Sequence, residues 1–377
     1  MSGVSASAAP LEPAAAPHRR LAIRAPLLAL AALGLVTGLY GGLERLGWTS
    51  APGALAELHG ALLISGLFGT LIGLERAVAL GRRWTYAAPA FSALGTLLLL
   101  TGAPVPLGAG AYALGAAILA AASLLIAIQQ PAVFTGTLLF GALAWLAGNV
   151  LWSLGATVPD VVGWWLSFLV LTIAAERLEL SRLLAPRRGS ETIFLFAMGV
   201  LLAGAQNGLM SKNGAVLFGL GLLLMAGWLL RHDIARLNVR RSAQTRFMAT
   251  CMLAGYAWLA AAGVTLIASS PETSVFGYDV ALHAILIGFV ISMVFGHALI
   301  ILPAVARLRV RYSGALYGPL VLLHGSVALR AGAGLAEWDM GRLTSGPLTV
   351  LSLVGFAIAL ALASHRRSRA SEGDLAR

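Results

Sequence analysis

The sequence has few charged residues, one cysteine and one lysine. Only 11% of its 377 residues are charged and 59% are hydrophobic, a composition that excludes a soluble globular protein. Because Cys251 is the single cysteine, the chain has no disulfide framework, no CxxC pair and no CxxCH motif for covalent haem. It also lacks P-loop, GxSxG and HExxH motifs, so nucleotide hydrolysis, serine hydrolysis and zinc-protease chemistry have no support.

The net charge of +11 comes almost entirely from arginine, since Lys212 is the only lysine. Nucleic-acid binding would need a basic face or arm. The arginines instead cluster between apolar runs, at residues 19–24, 82–83, 182–188, 231–241, 307–311 and 366–369. This distribution is typical of the positive-inside bias of membrane proteins. It predicts topology and no nucleic-acid partner.

Twelve apolar runs account for most of the chain, and each is about long enough to cross a bilayer. They lie at about 25–43, 54–80, 85–103, 106–128, 132–155, 161–184, 191–211, 214–231, 247–268, 279–305, 313–335 and 343–364. The sequence therefore predicts an all-α, polytopic membrane protein with about twelve transmembrane helices. We expect residues 21–366 to form a single transmembrane domain whose main partner is the lipid bilayer, with no water-soluble catalytic domain.

The arginine clusters predict the orientation of the chain. They follow the even-numbered runs, except the fourth, whereas the opposite loops carry little basic charge. The positive-inside rule then places both termini in the cytoplasm of a bacterial-type cytoplasmic (inner) membrane. Residues 1–20 lack the basic and apolar regions of a signal peptide and are predicted to be a disordered cytoplasmic tail. Residues 367–377 are predicted to be a second cytoplasmic tail.

A weak internal sequence similarity recurs every four apolar runs. Runs two, six and ten end in GLERAVALGRR, AAERLELSRLL and PAVARLRVR. Three four-helix repeats would account for this similarity. The alternative is that any cytoplasmic helix end collects arginine.

Four of the seven histidines lie inside apolar runs, where an ionisable side chain is costly and indicates a functional site. His283 and His297 share run ten and are 14 residues apart, which corresponds to ~21 Å of helix rise with the two side chains within ~40° of one face. By depth, His59 matches His283 near the outer surface, and His324 matches His297 near the inner surface. We therefore expect an outer pair, His59 with His283, and an inner pair, His297 with His324.

Paired imidazoles on facing helices are what a b-type haem requires, because its iron takes one axial ligand on each face. The histidines thus predict one or two haem b groups, with copper or another metal as a less favoured occupant of the inner pair. Arg76 and Arg177 are candidate partners for the propionates of an inner haem. Interhelical hydrogen bonding without a cofactor is the alternative for the histidines, and interfacial ion pairing is the alternative for the arginines.

Several small residues near these histidines would let a flat macrocycle approach the helix backbone. They are Gly60, Gly66 and Gly69 in run two, and Gly288 and Gly296 in run ten. Small-residue packing between helices is the alternative reading of the same glycines.

The segments ELHGALLISGLFG and LHAILIGFVISMVFGHALIILPAV resemble the histidine-bearing helices of the NnrS family, membrane haem and copper proteins linked to nitric oxide stress. More widely, the chain resembles the twelve-helix subunit I of haem-copper oxidases. That resemblance implies a haem-copper-oxidase-like bundle in which His59 and His283 match the two low-spin haem ligands. The oxidase copper site is missing, since runs six and seven contain no histidine and His283 is followed by Ala284 and Ile285.

Three classes of function remain open. The first is a membrane haem b protein in electron transfer, with an unidentified redox partner, or in handling nitric oxide or another small ligand. Such a site would be compatible with a haem-dependent oxidoreductase, although no catalytic residue is assigned. The second is a proton-coupled small-solute transporter without cofactor, which would use the membrane histidines with Glu75 and Glu176. The third is an assembly subunit that binds another membrane protein.

Overall fold

A computed structural model describes residues 17–49, 53–182, 189–269, 271, 274, 277–306 and 310–374. Within these residues the chain is helical and contains no strand. The long helices are α1 Pro17–Leu46, α2 Ala54–Leu80, α3 Ala87–Leu100, α4 Val105–Gln129, α5 Val133–Ser153, α6 Val158–Ser181, α7 Ser190–Asn207, α8 Lys212–His232, α9 Ala243–Ala268, α10 Gly277–Val305, α11 Tyr317–Leu335 and α12 Asp339–Asp374.

These helices lie over the twelve apolar runs of the sequence. Nine of the described helices are long and apolar enough to cross a membrane, and the exceptions are α3, α7 and α11. Helix α3 has only 14 residues, and α11 carries His324 and Arg330, which reduce its apolar character. The chain is therefore a polytopic helical membrane protein.

The predicted tails differ from the structure at their inner edges. Helix α1 begins at Pro17, so the last residues of the predicted tail 1–20 are helical, while residues 1–16 lie outside the described part of the chain. Helix α12 continues to Asp374 and includes most of the segment 367–377. The boundary predicted between residues 366 and 367 therefore falls inside a helix.

Short loops connect the helices, and glycine ends several of them. Gly81 follows the last residue of α2 with φ +67° and donates its N–H to the Ala77 carbonyl. Because a side chain would strain this left-handed conformation, glycine is the residue that stops α2 here. The stop leaves Arg82 and Arg83 in the loop, in line with the arginine clusters of the sequence.

Helix α6 lies deepest in the bundle: 72% of the residues in its most apolar stretch are buried, the highest share among the nine candidate spans. It packs against α5, α7 and α8 and also contacts α10. Helices α1 and α12 contact each other, so the first and last helices of the chain are neighbours. At the end of α10, Arg24 of α1 donates to the carbonyls of Ala304 and Val305 at 3.4 Å, where a cation suits the helix dipole.

Two helices contain π-helical segments. They are Leu62–Phe68 within α2 and Ala284–Ile291 within α10. Each segment begins within three residues after an outer histidine, His59 in α2 and His283 in α10. Because π segments inside α-helices occur frequently at functional sites, their matching positions set these two helices apart from the rest of the bundle.

Candidate functional site

His59 lies in the second turn of α2 and is half-buried. Its Nδ1 lies 2.8 Å from the Ala56 carbonyl oxygen. Since a carbonyl oxygen can only accept, Nδ1 carries the proton and the lone pair lies on Nε2. The imidazole is thus oriented by the backbone of its own helix, and its ligating nitrogen is available.

His283 repeats this arrangement on α10. Its Nδ1 donates to the Asp279 carbonyl oxygen at 2.7 Å, and a carboxylate oxygen of Asp279 lies 3.3 Å from the same nitrogen. The lone pair is again on Nε2, for which the described residues provide no hydrogen bond. A histidine ligand held through its other nitrogen is typical of protein metal sites.

Charged and ionisable groups of several helices act on the outer histidines. His59 and His283 interact electrostatically with each other. Arg45, Arg330 and Asp279 also act on His59. Among the described residues no hydrogen bond joins the two imidazoles, and their pairing stays a prediction.

Asp279 and Arg330 form an ion pair next to His283, and the sequence analysis did not identify Asp279. Arg330 Nε and Nη2 donate to the two carboxylate oxygens at 2.9 and 2.8 Å, and Arg330 is only 8% exposed. The two-point contact fixes the carboxylate beside the imidazole. The sequence signal was the four-residue spacing between Asp279 and His283, which places both side chains on one helix face.

The glycines on α2 and α10 divide into two groups. A Cβ added at Gly60, next to His59, would meet no atom within 4 Å. Side chains of neighbouring helices occupy the space at the deeper positions: Thr96 and Tyr112 at Gly66, Trp145 at Gly69, Trp258 at Gly288 and Cys251 at Gly296. Of these five glycines, Gly60 alone has open space at the position of a Cβ, and the other four serve close helix packing.

His297, near the inner end of α10, contacts a buried arginine. Its Nδ1 donates to the Met293 carbonyl at 2.6 Å, and its Nε2 accepts from Arg177 Nη2 at 2.8 Å. Arg177 is 5% exposed, and its Nη1 also contacts the Met252 sulfur at 3.4 Å. Both nitrogens of His297 are thus used, and the Arg177 Nε is buried without a hydrogen bond.

His324 has the opposite tautomer. The Trp258 indole donates to its Nδ1 at 3.0 Å, so Nε2 carries the proton and points to the Ser292 hydroxyl at 3.4 Å. Among the described residues no hydrogen bond or ion pair joins His324 to His297. The lone pair of each imidazole is already engaged by a different side chain. The inner pairing therefore stays a prediction.

The remaining predicted residues lie at the inner ends of α2 and α6. Arg76 is half-buried and, with Glu75 and Arg177, acts electrostatically on Glu176. In the described part of the chain neither Arg76 nor Arg177 has a carboxylate within ion-pair distance. The charge of the two arginines is therefore available to another anion, although the carboxylates of Glu75 and Glu176 lie within electrostatic range.

The outer pair supplies a two-nitrogen donor set. In the described ranges, no group of three or more His, Cys, Asp or Glu side chains lies close enough to hold one metal ion. Two imidazoles with lone pairs on Nε2 fit a haem iron, which receives four further nitrogens from its porphyrin. The chemistry of the donor set is thus compatible with haem at His59 and His283.

Comparison with known proteins identifies a family. No curated protein matches the sequence. Residues 24–365 match the profile described as "Domain of unknown function (DUF8744)". The matched range begins inside α1 and ends inside α12, so it covers helices α2 to α11 in full. The chain belongs to this DUF8744 family.

Proposed function

We propose that the protein is a membrane haem b protein in which His59 and His283 ligate one haem near the outer surface. The observation that carries the proposal is the shared geometry of the two imidazoles. Each is held through Nδ1 by a backbone carbonyl of its own helix, and each keeps its Nε2 lone pair free. The resemblance of these two helices to the NnrS family and to haem-copper oxidases points in the same direction.

Electron transfer across the outer half of the membrane is the activity that this site suits best. With His59 and His283 both as ligands, a haem held here would supply one-electron redox chemistry and would offer no position for a gas. Handling of nitric oxide or another small ligand would therefore need a second site. For that role His297 would have to release Arg177, and His324 would have to release Trp258.

The inner residues complete the proposal. His297 and His324 would hold a second haem or a copper ion. If the group is haem, Arg76 and Arg177 would bind its propionates. The buried Nε of Arg177 supports this role, because a buried guanidinium with an unused donor favours an anionic partner.

The wider architecture is proposed as a twelve-span, haem-copper-oxidase-like bundle of three four-helix repeats. Helices α2, α6 and α10 occupy equivalent places in such repeats, and the contacts of α10 with both α6 and the inner end of α2 support this view. We place the bundle in a bacterial-type inner membrane with both termini in the cytoplasm, on the strength of the arginine distribution.

Optical spectroscopy of the purified protein tests the haem assignment. We expect a reduced-minus-oxidised b-type spectrum and a pyridine haemochrome in the wild type, and loss of the outer haem in His59→Ala and His283→Ala. His232→Ala is the matched control, because His232 on α8 also bonds a backbone carbonyl through Nδ1 but lies outside the proposed site. A folded wild-type protein without haem, expressed with ample haem supply, would overturn the proposal.

A proton-coupled transporter is the second candidate. The observation that favours it is the mutual proximity of Glu75, Glu176 and their arginine neighbours on α2 and α6. Proton uptake into liposomes distinguishes the two functions. Solute-dependent uptake that is lost in Glu176→Gln, in protein without haem, would replace the cytochrome assignment by transport.

A further inference from the structure

Five arginines lie close together where α8 ends and α9 begins. They are Arg231, Arg236, Arg240, Arg241 and Arg246, and we call residues 231–246 the arginine turn. Four of these side chains are exposed, and that of Arg236 is half-buried. Because α8 and α9 are consecutive candidate membrane spans, the segment that connects them lies at a surface of the bilayer. The five guanidinium groups are therefore at the depth of lipid headgroups.

The one carboxylate of the arginine turn lies inside the protein. Asp233 is 1% exposed, and its two oxygens accept hydrogen bonds from the Ala235 backbone N–H at 2.7 Å and from the Tyr256 hydroxyl. Tyr256 is itself fully buried on α9. Asp233 therefore anchors the turn to α9, and the surface of the turn carries arginine without a carboxylate of its own.

Backbone carbonyls hold two of the arginines in place. Arg236 Nη1 donates to the Arg231 carbonyl at 2.9 Å, and Arg246 Nε donates to the Arg241 carbonyl at 2.8 Å. Each contact uses one of the five N–H donors of a guanidinium group. In the described part of the chain no carboxylate lies at ion-pair distance from any of the five arginines. Two positioned guanidinium groups thus keep donors for an anion from outside the protein.

An exposed leucine lies among the arginines. Leu237 belongs to the short helix Ala235–Asn238 and is 46% exposed. Ala235 of the same helix is buried, and Val239 packs against the hydrophobic core, so this part of the turn is fixed to the bundle. Basic side chains beside an exposed apolar side chain are typical of segments that lie in the interface between lipid and water.

We propose that the arginine turn binds anionic phospholipid, with its guanidinium groups on the lipid phosphates and Leu237 against the acyl chains. Five arginines and one carboxylate give residues 231–246 four net positive charges, and basic clusters of roughly this size beside a membrane span favour anionic lipid. The site is independent of the haem assignment. None of the five arginines is assigned to a haem, and none is among the charges that act on the four membrane histidines.

Native mass spectrometry of the detergent-solubilised protein, titrated with phosphatidylglycerol, tests this site through the dissociation constant of the first bound lipid. We expect Arg240→Gln and Arg241→Gln each to weaken binding about fivefold, and the double variant roughly 25-fold, the effect of removing basic residues near an anionic surface. The matched control is the double variant Arg82→Gln and Arg83→Gln, which removes two exposed arginines from the loop after α2 and should leave this constant unchanged. Phosphatidylcholine should bind more weakly than phosphatidylglycerol, because its choline cation offsets the phosphate charge.

Three results would overturn the proposal. The first is an equal loss of phosphatidylglycerol affinity in the two double variants, or no loss in either, since the arginine turn would then be no better than another basic loop. The second is equal binding of the two lipids. The third is displacement of the lipid by millimolar inorganic phosphate, which would indicate a site for free anions. The thermal transition of each variant shows whether it is folded.

Charge-preserving variants separate lipid binding from folding. The double variant Arg240→Lys and Arg241→Lys keeps both positive charges, and we expect its affinity to stay within about twofold of the wild type. If the glutamine double variant is unfolded, the single variants Arg240→Gln and Arg241→Gln replace it. A loss in the lysine variant as large as in the glutamine variant would contradict an electrostatic site.

Discussion

The imidazole of His283 is held by a carbonyl oxygen and faces a carboxylate that Arg330 neutralises. In a medium of low dielectric constant this ion pair determines how much negative charge the histidine experiences. Asp279 and Arg330 should therefore have opposite effects on any haem that His283 ligates, although both belong to one contact.

We predict opposite shifts of the outer haem midpoint potential in Asp279→Asn and Arg330→Leu. The first leaves an uncompensated cation near the iron, which raises the potential, and the second leaves an uncompensated carboxylate, which lowers it. Each shift should be on the order of tens of millivolts for one charge at this range. Spectroelectrochemical titration in alkaline buffer, where the carboxylate stays ionised, measures both.

A merely structural role for this ion pair would shift both variants in the same direction or reduce haem content in both. Arg246→Leu removes an exposed arginine on α9 and should leave the potential unchanged. Shifts of equal sign in Asp279→Asn and Arg330→Leu would contradict the electrostatic account, while absence of haem from the wild type would instead contradict the proposed function.

Arg177 and His297 are coupled in the interior. Removing His297 leaves the buried guanidinium without one of its acceptors, which costs about 1–3 kcal/mol. We predict that His297→Leu and Arg177→Met each lower the free energy of unfolding, and that the double variant loses less than the sum. The double-mutant cycle, followed by SDS or thermal unfolding in detergent, should give a coupling energy of about 0.5–3 kcal/mol. Additive effects would show that the 2.8 Å contact contributes nothing.

At the scale of the helix, glycine positions decide how closely α7 and α8 approach. A Cβ at Gly204 of α7 would overlap the backbone N and Cα of Phe218 on α8, whereas a Cβ at Gly199 of the same helix meets nothing within 4 Å. Backbone atoms cannot move aside as a flexible side chain can. The close approach of the two helices at this position therefore requires glycine at residue 204.

We predict that Gly204→Ala lowers the free energy of unfolding by about 1–3 kcal/mol through overpacking. Gly199→Ala is the control on the same helix and should be neutral or slightly stabilising, since alanine favours helix by about 1 kcal/mol over glycine. Thermal unfolding of both variants in one detergent is the measurement. Equal transitions for the two variants would mean that α7 and α8 can separate without cost.

The π-helical segments of α2 and α10 are also a property of single helices. The apolar patterns of ELHGALLISGLFG and LHAILIGFVISMV do not reveal the π-helical segments. Because these runs are apolar on every side of the helix, a wider turn interrupts no polar stripe. The segment in α2 packs against α1 and α3, and the segment in α10 packs against α6, α9 and α11. Sequence reasoning could place His59 and His283 on two helices, but it could not detect that each precedes such a segment.

At the scale of the whole molecule, the arginine distribution predicts which loops face the cytoplasm. Cys251 is buried, so the native chain provides an unlabelled background for cysteine scanning. We predict that Leu154→Cys, in the loop after α5, reacts with an impermeant maleimide in intact cells, because Leu154 is 79% exposed and the arginine distribution assigns this loop to the outer side. Arg83→Cys, exposed in the loop after α2, should react only after the membrane is opened. The reverse labelling pattern would show that the orientation is opposite to the predicted one.

Much of the fold follows from hydropathy alone. The limits of α2, α4 and α10 agree with the predicted runs to within two residues, because charge, proline and glycine end apolar helices in lipid. Helix order and rise also predict one depth for His59 and His283 and another for His297 and His324, and both pairings stay predictions. Depth could not reveal the hydrogen bonds of His324 with Trp258 and Ser292.

The sequence by itself determined that this chain resides in a membrane, which parts of it form apolar helices, and which ionisable side chains lie inside them. Each of these properties depends on the transfer of short segments from water to lipid, which is local along the chain. Only the tertiary structure decided the partner of each polar side chain, such as Asp279 with Arg330 and Arg177 with His297. These contacts depend on the rotation and spacing of helices that are distant in sequence, and among apolar helices small side chains and interior hydrogen bonds set that packing.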